Sequence, residues 1–125
     1  MNYSIEYEVA GNYLLVVPVG ERSLDANVDL ALMIDEASRK NNCTMIVVDI
    51  RGLSGGSPGV VQDYQFAQFA GTLAAGKHRR VALIYPADKE KNVKFLETAA
   101  RNNGVDLMAF LTIEEAREWF KKDET

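Results

Sequence analysis

The sequence predicts an α/β domain: an N-terminal β-hairpin, then alternating helices and strands that form a mostly parallel, five-stranded mixed sheet with helices packed on it. Three observations carry this. Gly11-Asn12 is a two-residue turn signal between two β-rich stretches. Thr44 to Ile50 and Arg80 to Tyr85 are continuous, apolar and β-branched, the pattern of strands covered on both faces. Around them, apolar residues recur at the three-to-four-residue spacing of a helix stripe.

The elements follow in order. Tyr3, Ile5, Tyr7 and Val9 alternate with Ser4, Glu6 and Glu8, as in a half-buried strand. Tyr13 to Val19 is its hairpin partner. From Leu24 to Lys40 the period changes, and Leu30, Met33, Ile34 and Ala37 form a helical stripe. Ser23 or Asp25 caps its start and Asn41-Asn42 stops it. The strand Thr44 to Ile50 leads into a loop of Gly, Ser and Pro from Arg51 to Gly59. Phe66, Phe69, Ala70 and Leu73 mark a second helix ending near Gly71 to Gly76. The strand Arg80 to Tyr85 is closed by Pro86. Asp88 then caps a third helix carrying Val93, Leu96 and Ala100, which stops at Asn102-Asn103-Gly104. Leu107 to Leu111 is a short last strand. Thr112-Ile-Glu-Glu115 is a capping box, in which the Thr hydroxyl takes one free N–H and the Glu reaches back to another. The helix it opens buries Ile113, Ala116 and Phe120 beside Trp119.

With 125 residues, 47% of them apolar and 26% charged, the chain supports one domain over 1–125 and excludes disorder, collagen and coiled coil. Lys and Arg number 14 against 18 Asp and Glu, a net charge of −4, which argues against nonspecific nucleic-acid binding. Cys43 is the one cysteine, so no internal disulfide forms and a reducing, cytoplasmic location is expected. The opening MNYSIEYEV lacks the basic-then-apolar pattern of a signal peptide. No apolar run approaches the roughly 20 residues of a membrane span.

The most informative segment for function runs from Asp49 through Ser54, Gly55, Gly56, Ser57 and Pro58 to Gly59. It leaves a central strand at its C-terminal end, where open α/β sheets collect ligands. Ser57 followed by Pro58 fits N-cap and N1 of the next helix. Glycines that bare backbone N–H groups there suit an anion or a phosphoserine, and they equally suit a tight connection needing positive φ. Asp49 ends the strand where a catalytic acid sits in many enzymes, although it serves as well to hydrogen-bond the loop backbone. Gly71 to Lys77 imitates a phosphate-binding loop. His78 replaces the magnesium-binding hydroxyl, and the segment leaves a helix rather than a strand, so it is no ATP site.

Lys77-His78-Arg79-Arg80 is a basic cluster suited to a carboxylate, a phosphate or an acidic partner, or to a solvated turn completing the preceding helix. His78 and Cys43, one of each type, give no metal-ligand spacing, and Cys43 reads as a small apolar core residue. No catalytic set and no cofactor motif stands out. Tyr64, Phe66 and Phe69 crowd the second helix round more than one face, so core packing is joined by a candidate apolar ligand pocket or interface.

Four stretches carry a family resemblance: MIVVDIRGL, RRVALIYP, FLETAARNNGVDLMAF and LTIEEAREWF. Together they resemble the bacterial SpoIIAA-like family of small STAS-type domains, which in turn resembles the CRAL-TRIO lipid-transfer fold. The likeness covers nearly the whole chain, and its motifs are packing signatures. In signalling STAS domains, the loop after the central strand carries a phosphorylated serine in an Asp-Ser-Ser-Gly pattern that governs binding to an anti-sigma kinase. Ser57 is the nearest equivalent here and Ser54 the second, but the acidic residue is absent and Pro58 interrupts the pattern.

The resemblance implies a non-catalytic regulatory module that presents the Gly-Ser loop and adjoining helix to a protein partner. A carrier or sensor of a small apolar, lipid-like ligand, using Tyr64, Phe66 and Phe69, is the alternative. An enzyme using Asp49 is a weaker one. No nucleic acid, metal or cofactor is expected, and a homodimer through the N-terminal edge strand or a helix face is compatible with the pattern.

Overall fold

The computed structural model describes residues 3–55 and 59–122. The hairpin strands β1 (Tyr3–Ala10) and β2 (Tyr13–Glu21) pair antiparallel across the Gly11-Asn12 turn, with Gly11 at φ +71°. Parallel strands β3 (Met45–Asp49), β5 (Arg80–Ile84) and β6 (Asp106–Phe110) extend the sheet in the order β1-β2-β3-β5-β6. A two-residue strand, β4 (Leu53–Ser54), pairs with Gly20 and Glu21 at the far end of β2. The five principal strands are thus those expected, and β4 is an addition from within the predicted loop. β2 bonds to β3 only at Leu14–Val16 and to β4 only at Gly20–Glu21. Pro18, which has no N–H to donate, falls in the gap between.

Helix α1 (Leu24–Asn41) starts where the Ser23 hydroxyl accepts from the Ala26 N–H at 3.0 Å. It ends at Asn42, in the left-handed region at φ 51°, whose N–H returns to the last carbonyls. Helices α2 (Val60–Ala74) and α3 (Glu90–Asn102) lie with α1 on one face of the sheet, and α4 (Ile113–Lys122) lies on the other. Alternation along β3 and β5 divides the core. Leu14, Val16, Ile46, Val48 and Leu83 meet the three-helix side, while Tyr13, Val47, Ala82 and Ile84 meet Ala116 and Phe120 of α4.

Local capping departs from expectation twice. Asp88 does not cap α3. It lies in a 3₁₀ turn, Ala87–Lys89, and Lys89 takes the N-cap position with no side-chain bond. At α4 the Thr112 hydroxyl accepts from the Glu115 N–H at 3.2 Å, as predicted, but the Glu115 carboxylate returns to the Thr112 hydroxyl and not to a backbone N–H. Arg80 finishes the other end of α4. Its guanidinium donates to the carbonyls of Trp119 and Phe120 and lies 4.0 Å over the Trp119 ring, satisfying terminal carbonyls with a cation.

Candidate functional site

At the C-terminal edge of the sheet, Asp49 closes β3 and folds back on the chain that follows it. Its Oδ1 accepts from the Arg51 N–H at 3.1 Å and from Arg51 Nε at 2.9 Å, and its Oδ2 accepts from the other arm of the guanidinium at 2.8 Å. Hydrogen bonds from Arg51 hold the Asp49 carboxyl below the usual carboxylate range, against the upward push of burial. Both oxygens are therefore engaged in shaping the turn. The chain then enters β4, where the Arg22 N–H donates to the Ser54 carbonyl at 3.0 Å and the Ser54 hydroxyl donates to the Gly20 carbonyl at 3.1 Å. Gly55 needs φ +82° and Gly59 φ +131°, so the glycines serve backbone conformation directly.

Gly56, Ser57 and Pro58 lie outside the described residues, and with them the candidate phosphoserine. Among the described residues helix α2 runs from Val60, with Gly59 at the N-cap and no side-chain cap, and the expected Ser57-Pro58 cap lies outside them. Its first turns carry a solvent-facing apolar group: Val60 is 67% exposed, Val61 65% and Tyr64 49%. Tyr64 lies four residues after Val60 and three after Val61, the spacings that make neighbours on a helix surface, so it joins the three into one patch at the start of α2.

Further along α2, the side that meets the core is unusual for its small side chains. Ala67, Ala70 and Ala74 look toward Leu30 and Ile34 of α1, Val48 and Leu83 of the sheet and Leu96 of α3. Between them lies a half-enclosed, predominantly apolar cavity of about 120 Å³. Interiors are ordinarily packed with few voids larger than a water molecule. An empty space of this size forgoes on the order of 3 kcal/mol of packing. Of the three aromatic residues expected to line such a pocket, Phe66 lies on the wall of this cavity. Tyr64 points outward into the patch, and Phe69, half-buried, is not among the lining residues. The helical period places Phe69 away from Ala67, Ala70 and Ala74, whereas Tyr64, three residues before Ala67, sits in the solvent-exposed opening turns of the helix.

Three polar side chains reach the cavity wall: Arg22, Asn27 and Arg79. Arg79 is taken up by Asp35. Its Nη1 stands 2.7 Å from Asp35 Oδ1, which Lys77 Nζ also contacts at 2.7 Å, while Arg39 Nε approaches Oδ2 at 3.3 Å. Burial alone would raise the Asp35 carboxyl, but hydrogen bonds and charge from Lys77 and Arg79 outweigh it and bring it down to about 2. The basic cluster therefore serves the fold: Lys77 and Arg79 tie the β5 approach to α1, and Arg80 caps α4. Arg22 and Asn27 are different. The Arg22 Nε is buried with no hydrogen-bond acceptor among the described residues. Asn27 is 7% exposed, and its side-chain amide has no hydrogen-bond partner there either. Burial lowers the pKa of Arg22, with the nearby Asp63 charge acting the other way, and Asp63 on α2 is itself 3% exposed.

Sequence reasoning missed Arg22, Asn27, Asp35 and Asp63. One signal was present for Asp63, an acid within the apolar opening of a helix. Asn27 and Asp35 fall within α1 as ordinary polar residues. Cys43 is buried in the core, as expected. Among the described residues no group of three His, Cys, Asp or Glu side chains is placed to hold a metal ion, and no helix is long and apolar enough to cross a membrane.

Neither a family profile nor a curated protein matches the chain. Solved structures do. An anti-sigma factor antagonist from Mycobacterium paratuberculosis superposes with a TM-score of 0.65 at 15% identity, over 95% of this chain and 94% of that one. The anti-sigma factor antagonist SpoIIAA, in its unphosphorylated form, gives 0.56 at 18% identity over 94% and 98%. An uncharacterised protein from Shewanella loihica with a SpoIIAA-like fold gives 0.55 at 20% identity over 94% and 93%. The agreement covers at least 93% of every chain compared. The fold of this chain is therefore the SpoIIAA-like, STAS-type α/β fold.

Proposed function

We propose that the protein is a regulatory protein-interaction module that presents the first turns of α2 and the adjoining β4 turn to a protein partner. The exposed patch of Val60, Val61 and Tyr64 carries this reading. Apolar side chains this exposed and contiguous are the usual core of a protein contact. Two of the similar solved structures are anti-sigma factor antagonists, which is consistent with a regulatory partner. The engagement of both Asp49 oxygens by Arg51 weighs against using that carboxylate as a catalytic acid.

The finer proposal concerns Ser57. A phosphate there adds about −1.5 to −2 charges beside an apolar patch and so disfavours docking. Partner recovered from the native host on immobilised wild-type protein supplies the test. Val61→Glu is expected to weaken its binding at least tenfold, while the exposed-site control Leu32→Glu on α1 leaves it unchanged. Equal binding by wild type and Val61→Glu contradicts the reading. Equal affinities for Ser57→Asp and Ser57→Ala remove the switch and leave the interface standing.

A carrier of lipid-sized cargo is less well supported, because the cavity of about 120 Å³ is well below the roughly 300 Å³ at which pockets for larger ligands begin.

A further inference from the structure

The cavity beneath α2 combines features that ordinary packing does not call for. Its walls are apolar, and α2 contributes alanines, Ala67 and Ala70 among them, where larger residues would fill the space. Two polar groups interrupt those walls. Asn27 is more than nine-tenths buried with no hydrogen-bond partner for its amide among the described residues, and the Arg22 Nε–H is buried without an acceptor. A buried polar group that lacks a partner costs free energy, and the usual remedy is a water molecule or a ligand. The third polar lining residue, Arg79, already has its carboxylate in Asp35.

We propose that this cavity binds a small, neutral carbonyl compound, with a compact apolar body of about six carbons against the α2 alanines and its carbonyl oxygen accepting from Asn27 and the Arg22 Nε–H. Size bounds the body: an apolar cavity of about 150 Å³ holds benzene, and this one, at about 120 Å³, is half-enclosed, so a body of that size fills it and extends into its opening. Charge sets the head. Asp63 lies within electrostatic reach of Arg22, so a carboxylate would bring a second negative charge into a weakly screened space, whereas a carboxamide or ketone brings none. An aliphatic hydrocarbon fits the walls but leaves both polar groups unmet. The site is separate from the outward-facing patch of α2, so the failure of one reading leaves the other intact.

Benzamide, benzoate and benzene are suitable probes, titrated into the full chain and followed by amide chemical shifts and calorimetry. Saturable benzamide binding is expected, with the largest shifts at residues of α1, α2 and α3 that line the cavity, and with at least tenfold weaker binding of benzoate. Asn27→Ala should weaken benzamide at least fivefold while leaving benzene within twofold, a split that a merely destabilised fold does not produce. Ala70→Leu, which fills the space, should abolish both, and thermal unfolding confirms that each variant is folded. No saturable benzamide binding, benzoate binding as tight as benzamide, or benzamide affinity unchanged by Asn27→Ala would each overturn the proposal.

Discussion

A Cβ built on Gly71 would lie 2.3 Å from the Asn103 carbonyl oxygen, so the missing methyl group sets how closely α2 approaches the end of α3. In a solvated helix, Gly→Ala is stabilising by up to about 1 kcal/mol. Here the sign reverses: Gly71→Ala is expected to cost about 1–3 kcal/mol in urea unfolding, because backbone must move to admit it. Asp35 makes the matching electrostatic case. Its folded carboxyl, near 2, sits below its ordinary value of 3.8, so its contribution is complete above about pH 4 and is lost as pH falls toward 2. Asp35→Asn should lower stability at pH 7 by about 3 kcal/mol, since three cations lose their shared partner. It should also flatten the fall in stability between pH 4 and pH 2. Neither residue was legible beforehand. Asp35 and Arg79 are 44 positions apart, and nothing local to either announces the pairing.

At the scale of elements, the sequence was read most accurately where the causes are local. Ser23 caps α1 and Asn42 ends it because a hydroxyl and a left-handed residue act within one turn of themselves. Ser23→Ala is therefore expected to cost about 1 kcal/mol, measurable by thermal unfolding. The buried strands β3 and β5 were equally plain from their β-branched runs. β4 was not, because two residues have no periodicity and become a strand only through pairing with Gly20 and Glu21 at the end of β2. Helix α2 was read correctly as a helix and incompletely as a surface. Its apolar residues exceed one stripe, and only the packed structure shows that Val60, Val61 and Tyr64 face solvent while the alanines face a cavity.

For the whole molecule, three helices cover one face of the sheet and one covers the other, leaving β1 as an edge. Glu6 and Glu8 are exposed on the same face of that edge strand. A two-fold antiparallel pairing of β1 with its own copy would bring these carboxylates together, and like charges across strands are destabilising. Edge-to-edge dimerisation through β1 is accordingly disfavoured at neutral pH, and sedimentation of wild type beside the Glu6→Gln/Glu8→Gln double variant should show association only in the latter. The fold was legible because the order of strands and helices constrains the topology strongly. The site was less so, since its patch and its cavity arise from successive stretches of one helix, the first exposed and the second packed on the core. The most direct measurement of the central claim is amide hydrogen exchange on the complex with the partner recovered from the native host. Protection concentrated on β4 and the first turns of α2, around Val60 to Tyr64, is the expected result; protection confined to β1 or α4, with these segments exchanging as in the free protein, would contradict it.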